Sequence, residues 1–177
     1  MKKDISTDCV HAGEERFKPH DSITTPIIQS STFVFKNSED IRRYTGKEHF
    51  RYEYGRYGNP TQRAAENKLA RLEEAESAVL FASGMSAIIN TLLAVLKAGD
   101  HMVITDDAYG KTLAFCKSWL PKWGIASTVV EMGDYDAIER AIQPNTRLFF
   151  SESPTNPYLN IMDFAKLREI KLKHPGM

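Results

Sequence analysis

Charge of one sign is missing from this chain. Lys plus Arg and Asp plus Glu both number 23 in 177 residues, so the net charge is zero. There is no basic excess to attract nucleic acid or an anionic membrane, and no single-sign tail. Cysteine is scarce. Cys9 and Cys116 are too far apart for a metal or redox spacing, which fits a reducing compartment. No apolar run approaches the ~18 residues of a membrane span. Met1-Lys2-Lys3-Asp4 leads into polar sequence rather than an apolar signal core, which argues for a cytoplasmic protein. The chain has no internal repeat, no low-complexity segment, no GxGxxG and no P-loop. His11, His20, His49, His101 and His174 show no HxxxH spacing, and no metal site is expected.

What is present divides in two. Residues 1–58 lack strong periodicity and are rich in Thr, Ser, aromatics and Gly, with one short helix expected around Glu39 to Tyr44. They read as an extended arm. From Asn59-Pro60 onward the pattern changes, with an N-cap candidate followed by proline at the first helical position. Ala65, Leu69 and Leu72 then fall on one helical face. Ser77 to Ala82 reads as a buried strand, and Met85 to Leu96 as a helix apolar nearly all round and hence buried. Strands are expected at 101–105, 125–130 and 147–150, with helices at 110–119, 135–142 and 162–171. His174-Pro175-Gly176 reads as a turn. Alternating strands and helices predict an α/β fold, a mostly parallel sheet flanked by helices, over residues 59–177.

Several segments could carry chemistry. Ser83-Gly84-Met85 opens a helix after the expected strand, where unpaired N–H groups and the helix dipole suit a phosphate. Taken alone, it also reads as an ordinary N-cap with a packing glycine. Tyr109 follows the strand 101–105 and could stack on a planar heterocycle or simply cover the sheet edge. Lys111 could reach an acidic substrate or be a solvated helix lysine. Asn156, between two prolines, is either an aimed hydrogen-bonding group or an Asx-turn. Tyr54 and Arg56 lie in a glycine-containing loop, and Arg is the natural bidentate partner of a phosphate. Alone, Arg56 reads as a surface residue.

Order and spacing make the set specific. Tyr-x-Arg-x-x-Asn-Pro-Thr at 54–61 comes first, then Ser-Gly-Met at 83–85. Asp-x-x-Tyr-Gly at 106–110 and Glu-Ser-Pro-Thr-Asn-Pro at 152–157 follow. Together they resemble the Cys/Met-metabolism (transsulfuration) family of pyridoxal-phosphate (PLP) enzymes. Val10-His11-Ala12-Gly13 and Thr24-Thr25-Pro26-Ile27 match the family's opening. The resemblance covers the whole chain but about the first half of a typical member. It implies the aspartate-aminotransferase-like fold type I, here an incomplete large domain over 59–177. The arm at 1–58 would contribute to the neighbouring subunit's site in a homotetramer, a dimer of dimers.

The resemblance also implies residue roles. Gly84 and Met85 would bind the PLP phosphate through backbone N–H groups. Tyr54 and Arg56 would reach that phosphate from the neighbouring subunit. Tyr109 would stack on the pyridine ring, and Asn156 would bond its phenolic oxygen. Tyr109 and Tyr54 are the candidate catalytic residues. Glu53 to Gly58, Leu120 to Ile125 and Leu148 to Pro154 are most similar to plant-type cystathionine γ-synthases, which join cysteine to an activated homoserine ester. In that subgroup Lys111 would face the ester, with Gly110 standing where plant members have a basic residue. Unlike in plant members, no transit peptide is expected ahead of these motifs. Cystathionine lyases and O-acyl-homoserine sulfhydrylases share the same first-half motifs. A role of another class is a non-catalytic fragment that binds a full-length homologue. The family's pyridinium-pairing Asp would follow Gly176, and its cofactor-binding lysine would sit in a Ser-x-Thr-Lys motif. None of the 13 lysines of residues 1–177 does so, and these residues alone are expected not to run the full reaction.

Overall fold

The computed structural model describes residues 4–177. They form two compact units, divided between Leu80 and Phe81.

The first unit contains α1 (Ile5–His11), α2 (Ser38–Thr45) and α3 (Pro60–Leu72). Each begins at a residue whose side chain accepts from the first turn: Asp4, Asn37 and Asn59. Asn59 also fixes the arm, donating through Nδ2 to the Ile28 carbonyl at 2.9 Å. Thr61 Oγ1 accepts from the Ile28 N–H at 2.9 Å. Gly13, with φ +76°, brings the chain after α1 hard against the backbone of α3. Arg71 on α3 pairs with Asp8 on α1 at 3.4 Å. The sequence places a boundary at 58/59. In the structure α3 instead groups with the arm, because these backbone and ionic contacts tie it to α1. Neither α1 nor α2 buries a residue, in keeping with an arm that has little core of its own.

The strand expected at 77–82 is not formed. A strand requires a ladder partner, and no described residue pairs with this segment. The Leu80 N–H is taken by the buried carboxylate of Glu66 at 3.1 Å, which also accepts from Gln62 Nε2 at 3.0 Å. Val79 is left 70% exposed.

The second unit is a three-layer α/β arrangement. Its elements are α4 (Gly84–Val95), β1 (His101–Thr105), α5 (Gly110–Ser118), β2 (Ala126–Val130), α6 (Tyr135–Ala141), β3 (Thr146–Phe150) and α7 (Phe164–Lys173). The three strands are parallel in the order β2-β1-β3, as strand–helix alternation predicts. The central strand β1 is buried throughout. Its side chains alternate between two cores, as the pleat demands. Met102 and Ile104 pack with Leu92, Phe115, Cys116 and Leu120 on one face. Val103 packs with Ile138, Met162 and Ile170 on the other. Helix α4 is not buried all round. Leu92 is its one fully buried residue, while Leu93 and Val95 are exposed, because only one stripe of α4 meets the sheet core. Burial pushes the Cys116 thiol up to about 11, so it stays protonated and unreactive. No helix among the described residues is long and apolar enough to cross a membrane.

His101 crosses all three strands. Its Nδ1 lies 2.7 Å from the Thr146 hydroxyl and its Nε2 2.9 Å from the Thr128 hydroxyl. A neutral ring, accepting at one nitrogen and donating at the other, satisfies both. Burial holds its pKa below the ordinary 6.5. The unfolded chain therefore binds the proton more readily than the folded one. Stability is full above the unfolded value and falls as pH drops through 6.5 towards the depressed folded value, by at most ~1.4 kcal/mol per pH unit. Urea unfolding followed through Trp119 and Trp123 is expected to show a lower midpoint at pH 5 than at pH 7. His101→Gln is expected to remove most of that difference. An unchanged difference in the variant would show that His101 is not its source.

Candidate active site

The candidate residues of the second unit gather at the carboxyl ends of β1 and β3 and at the start of α4, the end of a parallel sheet where ligands bind. Ser83 is extended (φ −156°, ψ 155°) and caps α4 by accepting from Ser86 N–H at 3.1 Å. Gly84 is the first helical residue, and a side chain built on it would meet nothing within 4 Å. Among the described residues no acceptor takes the Gly84 or Met85 N–H. Two unclaimed donors thus stand at the positive end of a 12-residue helix, an arrangement that suits a phosphate. The Met85 sulfur lies 3.6 Å from the hydroxyl of buried Thr112, which locks this first turn to α5.

Tyr109 stands at the N-cap of α5 and is 51% exposed, so its side chain is not sealed into the core. Lys111 is exposed in the first turn of α5 and has no carboxylate partner among the described residues. Asn156 is exposed in the loop after β3, and the Ser153–Pro154 and Asn156–Pro157 peptide bonds are cis. Buried Thr155 fixes this loop. Its N–H donates to the Asn160 carbonyl at 3.0 Å, and its hydroxyl accepts from the Asn160 N–H at 3.1 Å.

The loops after β1 and β3 are joined by three further bonds. The Thr105 and Ser151 hydroxyls lie 3.0 Å apart. Asn160 Nδ2 donates to Asp107 Oδ2 at 3.2 Å. The Tyr109 N–H donates to Glu152 Oε1 at 2.8 Å. Sequence reasoning quotes Glu152 within its motif but gives it no role. It also passes over Thr112, Thr155 and Asn160. For Thr155 the signal was its place between two prolines, but burial of a loop threonine is set by contacts distant in sequence.

Tyr54 and Arg56 lie in the first unit. The Tyr54 segment is held by a bridge to Thr32 and by Gly55 N–H donating to the Ser31 carbonyl at 2.7 Å. The Arg56 guanidinium lies over the Tyr54 and Tyr57 rings at 5.2 and 5.8 Å, and no acidic partner among the described residues claims it. Both residues are exposed, and the loop presents an aromatic face and a free cation to solvent.

Comparison with known proteins agrees with this geometry. Residues 6–176 match the Cys/Met metabolism PLP-dependent enzyme family. A chloroplastic cystathionine γ-synthase of Nicotiana tabacum is 45% identical over 164 residues, covering 91% of this chain and 30% of that protein. An L-methionine γ-lyase of Fusobacterium nucleatum subsp. polymorphum is 40% identical over 175 residues, covering 99% and 44%. The crystal structure of metB from Corynebacterium glutamicum superposes with a TM-score of 0.86 at 37% identity, covering 97% of this chain and 43% of that one. A Campylobacter jejuni protein described as an O-acetylhomoserine (thiol)-lyase, holding a pyridoxyl-lysine phosphate, gives 0.88 at 28% identity, covering 98% and 42%. This chain spans less than half the length of these relatives. With its parallel sheet and the motifs at the sheet's carboxyl end, the chain belongs to the Cys/Met-metabolism family of PLP-dependent enzymes.

Proposed function

We propose that residues 1–177 supply the amino-terminal half of the apparatus of a cytoplasmic cystathionine γ-synthase. In that reaction a bond forms between the cysteine sulfur and Cγ of an activated homoserine ester, and the Cγ–O bond to the leaving acid breaks. The observation that carries the reading is the open first turn of α4, locked by Met85 to the helix that Tyr109 begins. A phosphate suits that turn because no acceptor among the described residues takes the Gly84 or Met85 N–H. Gly84 and Met85 would take the phosphate, Tyr109 would cover the pyridine ring, and Asn156 would donate to its phenolic oxygen. Tyr54 and Arg56 would complete the phosphate site of a neighbouring subunit, with residues 1–58 as the exchanging arm of a dimer, and the family resemblance would pair such dimers into a tetramer. Bound PLP supplies the electron sink for bond changes at the substrate carbons. Lys111, free of carboxylates, would orient the acidic ester.

The test joins residues 1–177 to the second half of the tobacco relative. This protein is expected to make cystathionine from cysteine and an acidic homoserine ester. Lys111→Ala is expected to raise KM for the ester about tenfold with little change for cysteine, because a charge aimed at the ester contributes binding. Equal effects on both substrates would remove that role. The methionine γ-lyase similarity supports a second reading, and a 2-oxo acid from methionine as the main product would establish it.

A further inference from the structure

Helix α5 starts unlike the other α-helices of the described residues. α1, α2, α3, α4, α6 and α7 each begin at an Asp, Asn or Ser whose own side chain accepts from the first turn. α5 begins at Tyr109, whose side chain caps nothing. Tyrosine has no short acceptor to fold back on its helix, so it makes a poor cap. The acceptor comes instead from Glu152, 43 residues away, which takes the Tyr109 N–H at 2.8 Å. Glu152 is itself held. The preceding Ser151 hydroxyl lies 3.0 Å from Thr105 on β1, and the following Ser153 hydroxyl accepts from Met162 N–H at 3.1 Å. The chain on both sides of Glu152 is therefore fixed, which limits where its carboxylate can reach.

We infer that Glu152 is a positioning residue. It replaces the missing local cap of α5 and sets where the Tyr109 ring stands relative to the loop that carries Asn156. The inference rests on the reading of Tyr109 as the ring that covers PLP. A charged acceptor on a backbone N–H is among the stronger protein hydrogen bonds. Its loss frees the one backbone donor that ties the α5 start to the β3 loop. Asp107–Asn160 and Thr105–Ser151 remain as ties, so the loop loosens without unfolding.

Two measurements on the 177-residue chain test this. The first is amide hydrogen exchange at Tyr109 without ligand. Glu152→Met keeps the size and removes the acceptor. It is expected to speed that exchange roughly ten- to a hundredfold while the buried β1 amides of Met102 to Ile104 are unchanged. Glu152→Gln keeps an acceptor oxygen and is expected to restore most of the protection. Unchanged exchange at Tyr109 in Glu152→Met would overturn the inference. So would equal acceleration in β1, which would mean general destabilisation.

The second is PLP affinity by equilibrium dialysis. Glu152→Met is expected to weaken it, and to weaken it no further in a Tyr109→Ala background. Full additivity of the two changes would show that Glu152 does not act through Tyr109 and would overturn the inference. No loss of affinity in Tyr109→Ala by itself would instead reject the ring-covering role, and with it the link from Glu152 to the cofactor, while the exchange arm still reports whether Glu152 holds the loop.

Discussion

Residues 1–177, expressed alone and supplied with PLP, are expected to show no turnover of homoserine ester, cystathionine or methionine. No absorbance of an internal lysine-bound cofactor near the visible edge is expected, and borohydride reduction should leave no single lysine stoichiometrically pyridoxylated. The reason is chemical. The family's reactions need a lysine that holds the cofactor and moves protons, and an acid that keeps the ring nitrogen protonated. None of the 13 lysines stands in the family's motif. The remaining contacts are phosphate donors at Gly84 and Met85, one half-exposed tyrosine ring and an amide. These predict weak, reversible binding with no covalent step. The measurement is the spectrum, the borohydride adduct map and a turnover assay on one preparation. A stoichiometric adduct on a single lysine, together with turnover, would show that the chain has recruited a replacement.

Gly13→Ala is expected to release α1 from α3. Two costs combine there. Gly13 has φ +76°, a left-handed conformation that costs an L-residue about 1–2 kcal/mol. An added Cβ would also fall 2.6 Å from the Lys68 backbone nitrogen, and closer still to the Ala64 carbonyl oxygen. Backbone on both sides cannot yield as a flexible side chain would, and overpacking of this kind costs about 1–3 kcal/mol. α1 has seven residues and no buried side chain, so it has no stability of its own once detached. Hydrogen exchange of the α1 amides is expected to lose its protection, while the β1 amides keep theirs. Gly99→Ala is the control. Its φ is +90°, but nothing lies within 4 Å of the new Cβ, so only the conformational cost applies. Equal losses of overall stability from the two substitutions would show that the close approach of Gly13 to α3 contributes nothing.

The sequence by itself determined the class of fold and named the residues of the candidate site. The alternation from His101 to Lys173 was legible because each element is short, amphipathic or capped by its neighbours. Asn59, Ser83, Asp134 and Asp163 are local caps, and local chemistry can be read from local sequence. The spacing of Tyr54, Arg56, Gly84, Met85, Tyr109 and Asn156 was equally plain, and so was the family. Only the tertiary structure decided the rest. Whether 77–82 forms a strand depends on a ladder partner, and the Leu80 N–H goes to Glu66 instead. Which side of α4 is buried depends on what packs against it. Tyr109 is capped by Glu152 from 43 residues away, and His101 is satisfied by threonines on two other strands. Each of these outcomes depends on a partner distant in the chain. Propensity and periodicity do not name that partner, because hydrogen bonds and packing are made in space.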